Sequence, residues 1–171
     1  MAKVIPGRFS TQTDQPIVVF AIGIRVNKFL AFHKWVPTAM EMGPMLRDLY
    51  SNPEKGFLGA ETFFYWRGVM LLQYWRSFDD LDKFARNRND PHLPAWQRFN
   101  KRVGTDGIVG IFHETYVVEP GKYEAIYGNM PIFGLASVNG HLPSVGGRAT
   151  ARRRLGEQND EPALPIPSNP V

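Results

Sequence analysis

The sequence predicts an α+β fold on an antiparallel sheet, and three observations carry that prediction. Pro16 to Val26 is rich in β-branched residues, which suit a pleated, half-buried strand. Phe57 to Trp66 and Gly68 to Arg76 are two more strand-length segments, joined tightly at Arg67-Gly68 as a hairpin. On either side of that hairpin the apolar period changes from two to a helical one.

Taken in order, residues 1–15 are polar and carry Pro6, Gly7 and Ser10, which reads as a flexible N-terminal arm. In the strand that follows, Ala21, Gly23, Arg25 and Asn27 share one face. The small residues there leave room for a packed helix or a ligand. From His33 to Tyr50, the residues Val36, Ala39, Met40, Met42, Met45, Leu46 and Leu49 form a helical stripe, which Pro44 should kink or divide. Ser51-Asn52-Pro53 ends that helix. After the hairpin, Ser77 is an N-cap candidate with Asp80 three residues on, as in a capping box, and Phe78, Leu81, Phe84 and Ala85 give the new helix its apolar face. Asn89-Asp90-Pro91 breaks it before a short helix from Pro94 to Arg102. Gly107 to Val118 is the last long strand, Pro120-Gly121 a turn, and Lys122 to Tyr127 a short extension or strand. Residues 136–171, rich in Pro, Gly, Arg and polar types, read as a disordered tail behind a domain at 16–135.

The resulting order is strand, helix, strand, strand, helix, strand: a ferredoxin-like split βαββαβ arrangement. Helices cover one face of such a sheet. The other face needs cover wherever it is apolar, and pairing two sheets in a homodimer supplies it.

Composition narrows the chemistry. The 171 residues are 43% hydrophobic, enough for a packed core. Aromatics make up 13% and cluster between Phe57 and Phe99, as core or as the wall of an apolar pocket. Without cysteine there can be no disulfide, thiolate metal site or cysteine nucleophile, and a cytoplasmic location is expected. No stretch approaches the roughly 18 apolar residues of a membrane span, so no membrane partner is expected. The net charge of +4 includes Arg148 and Arg152 to Arg154 near the C-terminus, too short a run for a nucleic-acid face. No nucleotide-binding glycine motif, zinc spacing or nucleophile elbow occurs.

Several separate motifs fall in a characteristic order. They are Phe64-Tyr65-Trp66, Tyr74 to Leu81, His92 to Trp96, Gly110 to Tyr116, Tyr123 to Tyr127, and Met130-Pro131. With them the segment from Ile17 to Leu135 resembles domain-of-unknown-function family 4188, the fumagillin-pathway monooxygenase-like proteins. The resemblance implies a dimeric α/β barrel and a place in secondary metabolism. It also implies a superfamily holding small cofactor-free monooxygenases beside heme enzymes, so the fold alone fixes no chemistry.

Three readings follow. The first is a monooxygenase-like oxidoreductase acting on an apolar or aromatic small molecule in a barrel pocket, with no cofactor. It needs a base, an oxyanion donor and dry walls. His113, Glu114 and Tyr116 are the catalytic candidates; Trp66, Tyr74, Trp75 and Arg25 are the substrate-binding ones. His113 shares a strand face with Ile111, Thr115 and Val117, whereas Glu114 and Tyr116 lie on the other, so His113 and Glu114 meet in one cavity only across a bulge. The second reading is a heme enzyme with His92 as axial ligand, since neutral imidazole is a common iron ligand. The third is a non-catalytic ligand-binding dimer in which the aromatics are core. Of the other histidines, His33 opens a helix and is expected to be exposed, and His141 is expected to be solvated in the tail.

Overall fold

The computed structural model describes residues 2–158, Pro162, Pro165 and 167–170. In chain order the elements are β1 (Ile5–Ser10), β2 (Ile17–Val26), α1 (Phe32–Met40), α2 (Met42–Ser51), β3 (Phe57–Tyr65), β4 (Gly68–Trp75), α3 (Phe78–Arg86), α4 (His92–Arg102), β5 (Val109–Val118), β6 (Tyr127–Met130), α5 (Ala136–Asn139), β7 (Leu142–Pro143) and α6 (Ala151–Arg154). They fall into two compact units, Val18–Val117 and the two flanks Met1–Ile17 with Val118–Val171.

The first unit holds the ferredoxin-like sheet, in the order β3-β4-β2-β5. β4 pairs antiparallel with β2 and with β3, setting Trp75 opposite Val18 and opposite Phe57. Even residues of β2 and odd residues of β4 therefore face the helices. There Val18, Met45, Leu49, Phe57, Trp75, Leu81, Phe84 and Ala95 form the main core, and Ile24, Phe99, Val103 and Val109 a second cluster. Trp75 is fully buried, and its indole N–H donates to Gln73 Oε1 at 2.9 Å, so neither buried polar group is left unpaired.

The expected helix is indeed divided. The proline ring clashes with the carbonyl four residues back, which favours a break ahead of Pro44, although α1 itself accommodates Pro37 in its interior. α1 accordingly ends at Met40, and α2 starts beyond Glu41 with Pro44 as its third residue. The hairpin differs by one residue from the expectation. Its loop is Trp66-Arg67, with Arg67 at φ 72°, while Gly68 already pairs with Tyr65. Gly68 is needed for close approach rather than for its turn geometry: a Cβ there would sit 2.1 Å from Ile24 O and 2.5 Å from the Tyr65 ring. Ser77 caps α3 as its sequence suggests, accepting from Asp80 N–H at 3.1 Å. Lys55 lies between Asp48 (2.6 Å) and Asp90 (2.5 Å). Burial works against its charge, but the two carboxylates outweigh it and hold its pKa above the ordinary lysine value.

The second unit carries order that the sequence reading did not assign. β1, in the expected arm, pairs antiparallel with β6 and β7. Gly7 stands at φ 106° against the Asn169 side chain, which bridges Arg8 N–H and Arg8 O at 2.6 and 3.1 Å. The extension or strand expected at Lys122 to Tyr127 appears as β6, which begins only at Tyr127. Residues 136–158, read as disordered tail, contain α5, β7 and α6. His141, expected in solvent, stacks on Phe9 with ring centroids 4.1 Å apart. Arg154 turns inward, its side chain only 7% exposed, and donates to Glu124 at 2.7 Å and to Arg148 O at 3.0 Å. Positions 1, 159–161, 163, 164, 166 and 171 lie outside the described residues.

Candidate functional site

Between the helices and the sheet of the first unit lies a cleft of about 810 Å³. Its sheet wall consists of Phe20, Ile22 and Ile24 from β2 with Val109, Ile111, His113 and Thr115 from β5. Period-two alternation presents these residues on one face. The opposite wall comes from the helices: Thr38 from α1, Met42 and Met45 from α2, Leu81 and Ala85 from α3, and His92, Trp96 and Phe99 from α4. The walls are mainly apolar, as in small-molecule sites; His113 stands at the exposed side of the cleft, whereas Val109 is buried and Ile111 half-buried.

Two of the histidines stand in this cleft. His113 is the imidazole of the sheet wall, its ring 5.6 Å from that of Phe20. His92 begins α4, with its ring 6.0 Å from Phe84 and Nδ1 3.0 Å from Ala85 O. A carbonyl only accepts, so this contact assigns the proton of neutral His92 to Nδ1 and leaves a lone pair on Nε2.

Glu41 completes the rim. It sits between α1 and α2, and its carboxylate accepts two hydrogen bonds from Arg98 on α4, at 2.9 and 2.6 Å. Those bonds hold its pKa below the ordinary glutamate value, against the opposing effect of burial; the charges of Arg98 and Arg102 add to the lowering. Asp82 also borders the cleft and accepts from Arg86 at 2.8 Å. Each carboxylate of the cleft thus has its own arginine.

The remaining candidates are elsewhere. Glu114 and Tyr116 face away from the helices and hydrogen-bond to each other, the Tyr116 hydroxyl donating to Glu114, which raises the phenol's pKa. Phe112, on that same face, fills the room left by Gly23: a Cβ at Gly23 would be 2.7 Å from the Phe112 ring. The space beside the small residues of β2 is thus taken by an aromatic ring of the neighbouring strand. Arg25 donates to Asn27 at 3.1 Å, and Trp66 stands 81% exposed at the hairpin tip. Tyr74 is buried on the face opposite Trp75, which belongs to the core. His33 is exposed, as expected. Among the described residues no group of His, Asp and Glu has the arrangement of a metal site.

Residues 17–135 match the family described as Monooxygenase af470-like. The chain belongs to that family. Monooxygenase af470 of Aspergillus fumigatus is 31% identical over 142 residues, covering 73% of this chain and 48% of that protein. The chain therefore spans about half the length of this curated relative. Among solved structures, an aldoxime dehydratase crystallised with butyraldoxime is similar with a TM-score of 0.62 at 14% identity, over 79% of this chain and 39% of that one. At that identity the likeness concerns the fold: an α+β ferredoxin-like sheet shared by this family member and a much longer enzyme.

Proposed function

We propose that this member of the Monooxygenase af470-like family is a small-molecule oxidoreductase of monooxygenase type, and that the cleft of the first unit receives an apolar or aromatic substrate. The observation that carries the reading is the position of His113, an imidazole in a wall otherwise made of Phe20, Ile22, Val109 and Ile111. His113 takes the proton of an electron-rich phenol or enol, and the resulting anion reacts with dioxygen: one oxygen atom bonds to the ring or enol carbon in place of hydrogen, the other leaves as water, and the substrate, oxidised to the quinone or dicarbonyl level, supplies the electrons. His113 is exposed, so it is the bound substrate, seated on the apolar walls, that would shield the anion from water, and Thr115 supplies a hydroxyl to orient the substrate oxygen. Glu114 and Tyr116 lie on the other sheet face, so the reading assigns them no part in the proton transfer. Oxygen uptake with a panel of phenols and enols, compared between the wild type and His113→Ala, tests it.

A specific observation favours a second reading, a heme enzyme. His92 lines the cleft with its Nδ1 hydrogen committed to Ala85 O, an arrangement found in imidazoles that ligate metals through Nε2. The residues present fit the group: His92 would hold its iron through Nε2, with Trp96, Phe99 and Met42 among the walls. Bound heme would supply redox and Lewis-acid chemistry at its iron. A Soret band near 400 nm in protein from heme-supplemented cells, lost in His92→Ala, would establish this reading over the first.

A homodimer is the assembly we favour. Tyr65, Phe112 and Tyr116 lie on the sheet face turned away from the helices and are each more than a third exposed, and a second copy would cover them.

A further inference from the structure

The three most exposed large apolar side chains of the first unit, Leu30, Phe64 and Trp66, stand at two neighbouring tips. One is the connection from β2 to α1, where Phe29 is 44%, Leu30 93% and Phe32 64% exposed; the other is the hairpin between β3 and β4, where Phe64 is 85% and Trp66 81% exposed. The tips adjoin, with the Phe29 and Trp66 rings 6.0 Å apart and the Arg67 guanidinium carbon 4.9 Å from the Phe29 ring centre.

Neither tip is a loose loop. The Trp35 indole donates to Phe29 O at 3.0 Å, Ala31 N–H to Lys28 O at 3.1 Å, and Val26 N–H to Arg67 O at 2.6 Å. The backbone thus holds Leu30 and Trp66 outward, although neither adds to the core, and Arg67 keeps a left-handed φ of 72° to close the hairpin. Apolar groups presented this way on a fixed frame indicate a surface that gets covered.

Charge indicates what covers it. Segments 25–36 and 64–68 contain Arg25, Lys28, Lys34 and Arg67 but no Asp or Glu. The nearby Asp106 pairs with Lys34, and Lys28 stands exposed. A bulky aromatic and Leu tip rimmed by cations matches the boundary of an anionic bilayer, where Trp and Phe sit at headgroup depth and Lys and Arg meet lipid phosphate and carboxylate. From these observations we infer that the paired tips, led by Leu30 and Trp66 with Lys28 and Arg67 beside them, dock the protein on an anionic lipid membrane. Lacking a helix long and apolar enough to span, the described chain would lie on the bilayer rather than cross it. The inference is independent of the chemistry assigned to the cleft.

Co-sedimentation of the full 171-residue chain with vesicles is the test. Vesicles of phosphatidylcholine mixed with phosphatidylserine should pellet the protein, those of phosphatidylcholine alone should pellet far less, and added salt should weaken binding. The double substitution Leu30→Asp with Trp66→Asp should lower the partition coefficient about tenfold or more, and Lys28→Glu should lower it with the phosphatidylserine vesicles only. Both tip side chains are exposed, so an unchanged circular dichroism melt separates lost docking from lost folding. Failure to pellet with phosphatidylserine vesicles, equal binding to both vesicle types, or full binding by the double variant would overturn the inference. So would a concentration-dependent dimer that the same two substitutions dissolve, since the patch would then belong to a second copy.

Discussion

Glu41 and Arg98 form a two-point carboxylate–guanidinium pair that ties the break between α1 and α2 to α4 across the rim of the cleft. Glu41 owes its position to Pro44, which forces the helix to restart and leaves residue 41 between the two pieces. Arg102, 3.9 Å from the same carboxylate, adds a second cation from α4, so the link between these elements is ionic and depends on pH.

The sign follows from the direction of the Glu41 shift. Its folded-state pKa is lowered from the ordinary 4.5, so its stabilisation is complete above that value and is lost as pH falls through the folded-state value. Glu41→Gln should melt below the wild type at neutral pH, and the gap should close in acid. Paired thermal melts across the acid range check this; a gap that persists or widens as pH falls would contradict it.

Gly23 is the position where the sheet has no room. An added methyl would lie 2.7 Å from the Phe112 ring and 2.8 Å from the backbone oxygen of Val69, which cannot swing aside. Gly23→Ala should destabilise by about 1–3 kcal/mol through overpacking. In urea unfolding, Gly23→Ala with Phe112→Ala should recover part of that loss; a single variant as stable as the wild type would mean that the two strands can separate freely.

Ser77→Ala removes the cap of α3, and with it the acceptor of Asp80 N–H and the 2.7 Å bond to Asp80 Oδ2. A cost of about 1 kcal/mol is expected from cap replacement. Thr in place of Ser should restore most of it, as denaturant midpoints would show.

Two tryptophans should behave oppositely. Trp75 is fully buried among Val18, Phe57 and Phe84, and Trp75→Ala should cost about 3–5 kcal/mol, enough to unfold a marginal domain. Trp66 is a surface group, and Trp66→Ala should stay within about 0.5 kcal/mol of the wild type. Chemical denaturation of the two variants side by side checks the contrast.

The contrast also shows what was legible in the sequence. The strands of the first unit, the hairpin, the divided helix and the Ser77 cap are written in local periodicity and turn chemistry, and they occur where those signals put them, within one or two residues. Alternation along β5 likewise separates His113 from Glu114 and Tyr116 before any coordinates are known. What could not be read is which ring of a neighbouring pair faces which layer: Tyr74 and Trp75 are equally aromatic, and the pairing with Val18 and Phe57 is what sends Trp75 into the core. The helical walls of the cleft were hidden for the same reason, since Met42 and Met45 read as ordinary stripe residues until α2 and α4 are set against β5. In the second unit the order has no local signature at all. β1 contains Pro6-Gly7 and β7 is two residues long, so each depends on partners far away in the chain, such as Tyr127 for Phe9.

The measurement that bears most directly on the cleft as a site of oxygen chemistry is oxygen consumption by the purified chain. It would be followed with a panel of electron-rich phenols and enols, in wild type and His113→Ala. The account predicts consumption by the wild type with at least one such compound, and a loss of about 10²-fold or more in the variant, the size of effect expected for a general base, with the fold intact. Consumption that survives His113→Ala unchanged would contradict the role of that imidazole. No consumption with any member of the panel, from protein whose spectrum shows a Soret band dependent on His92, would replace this account with the heme reading.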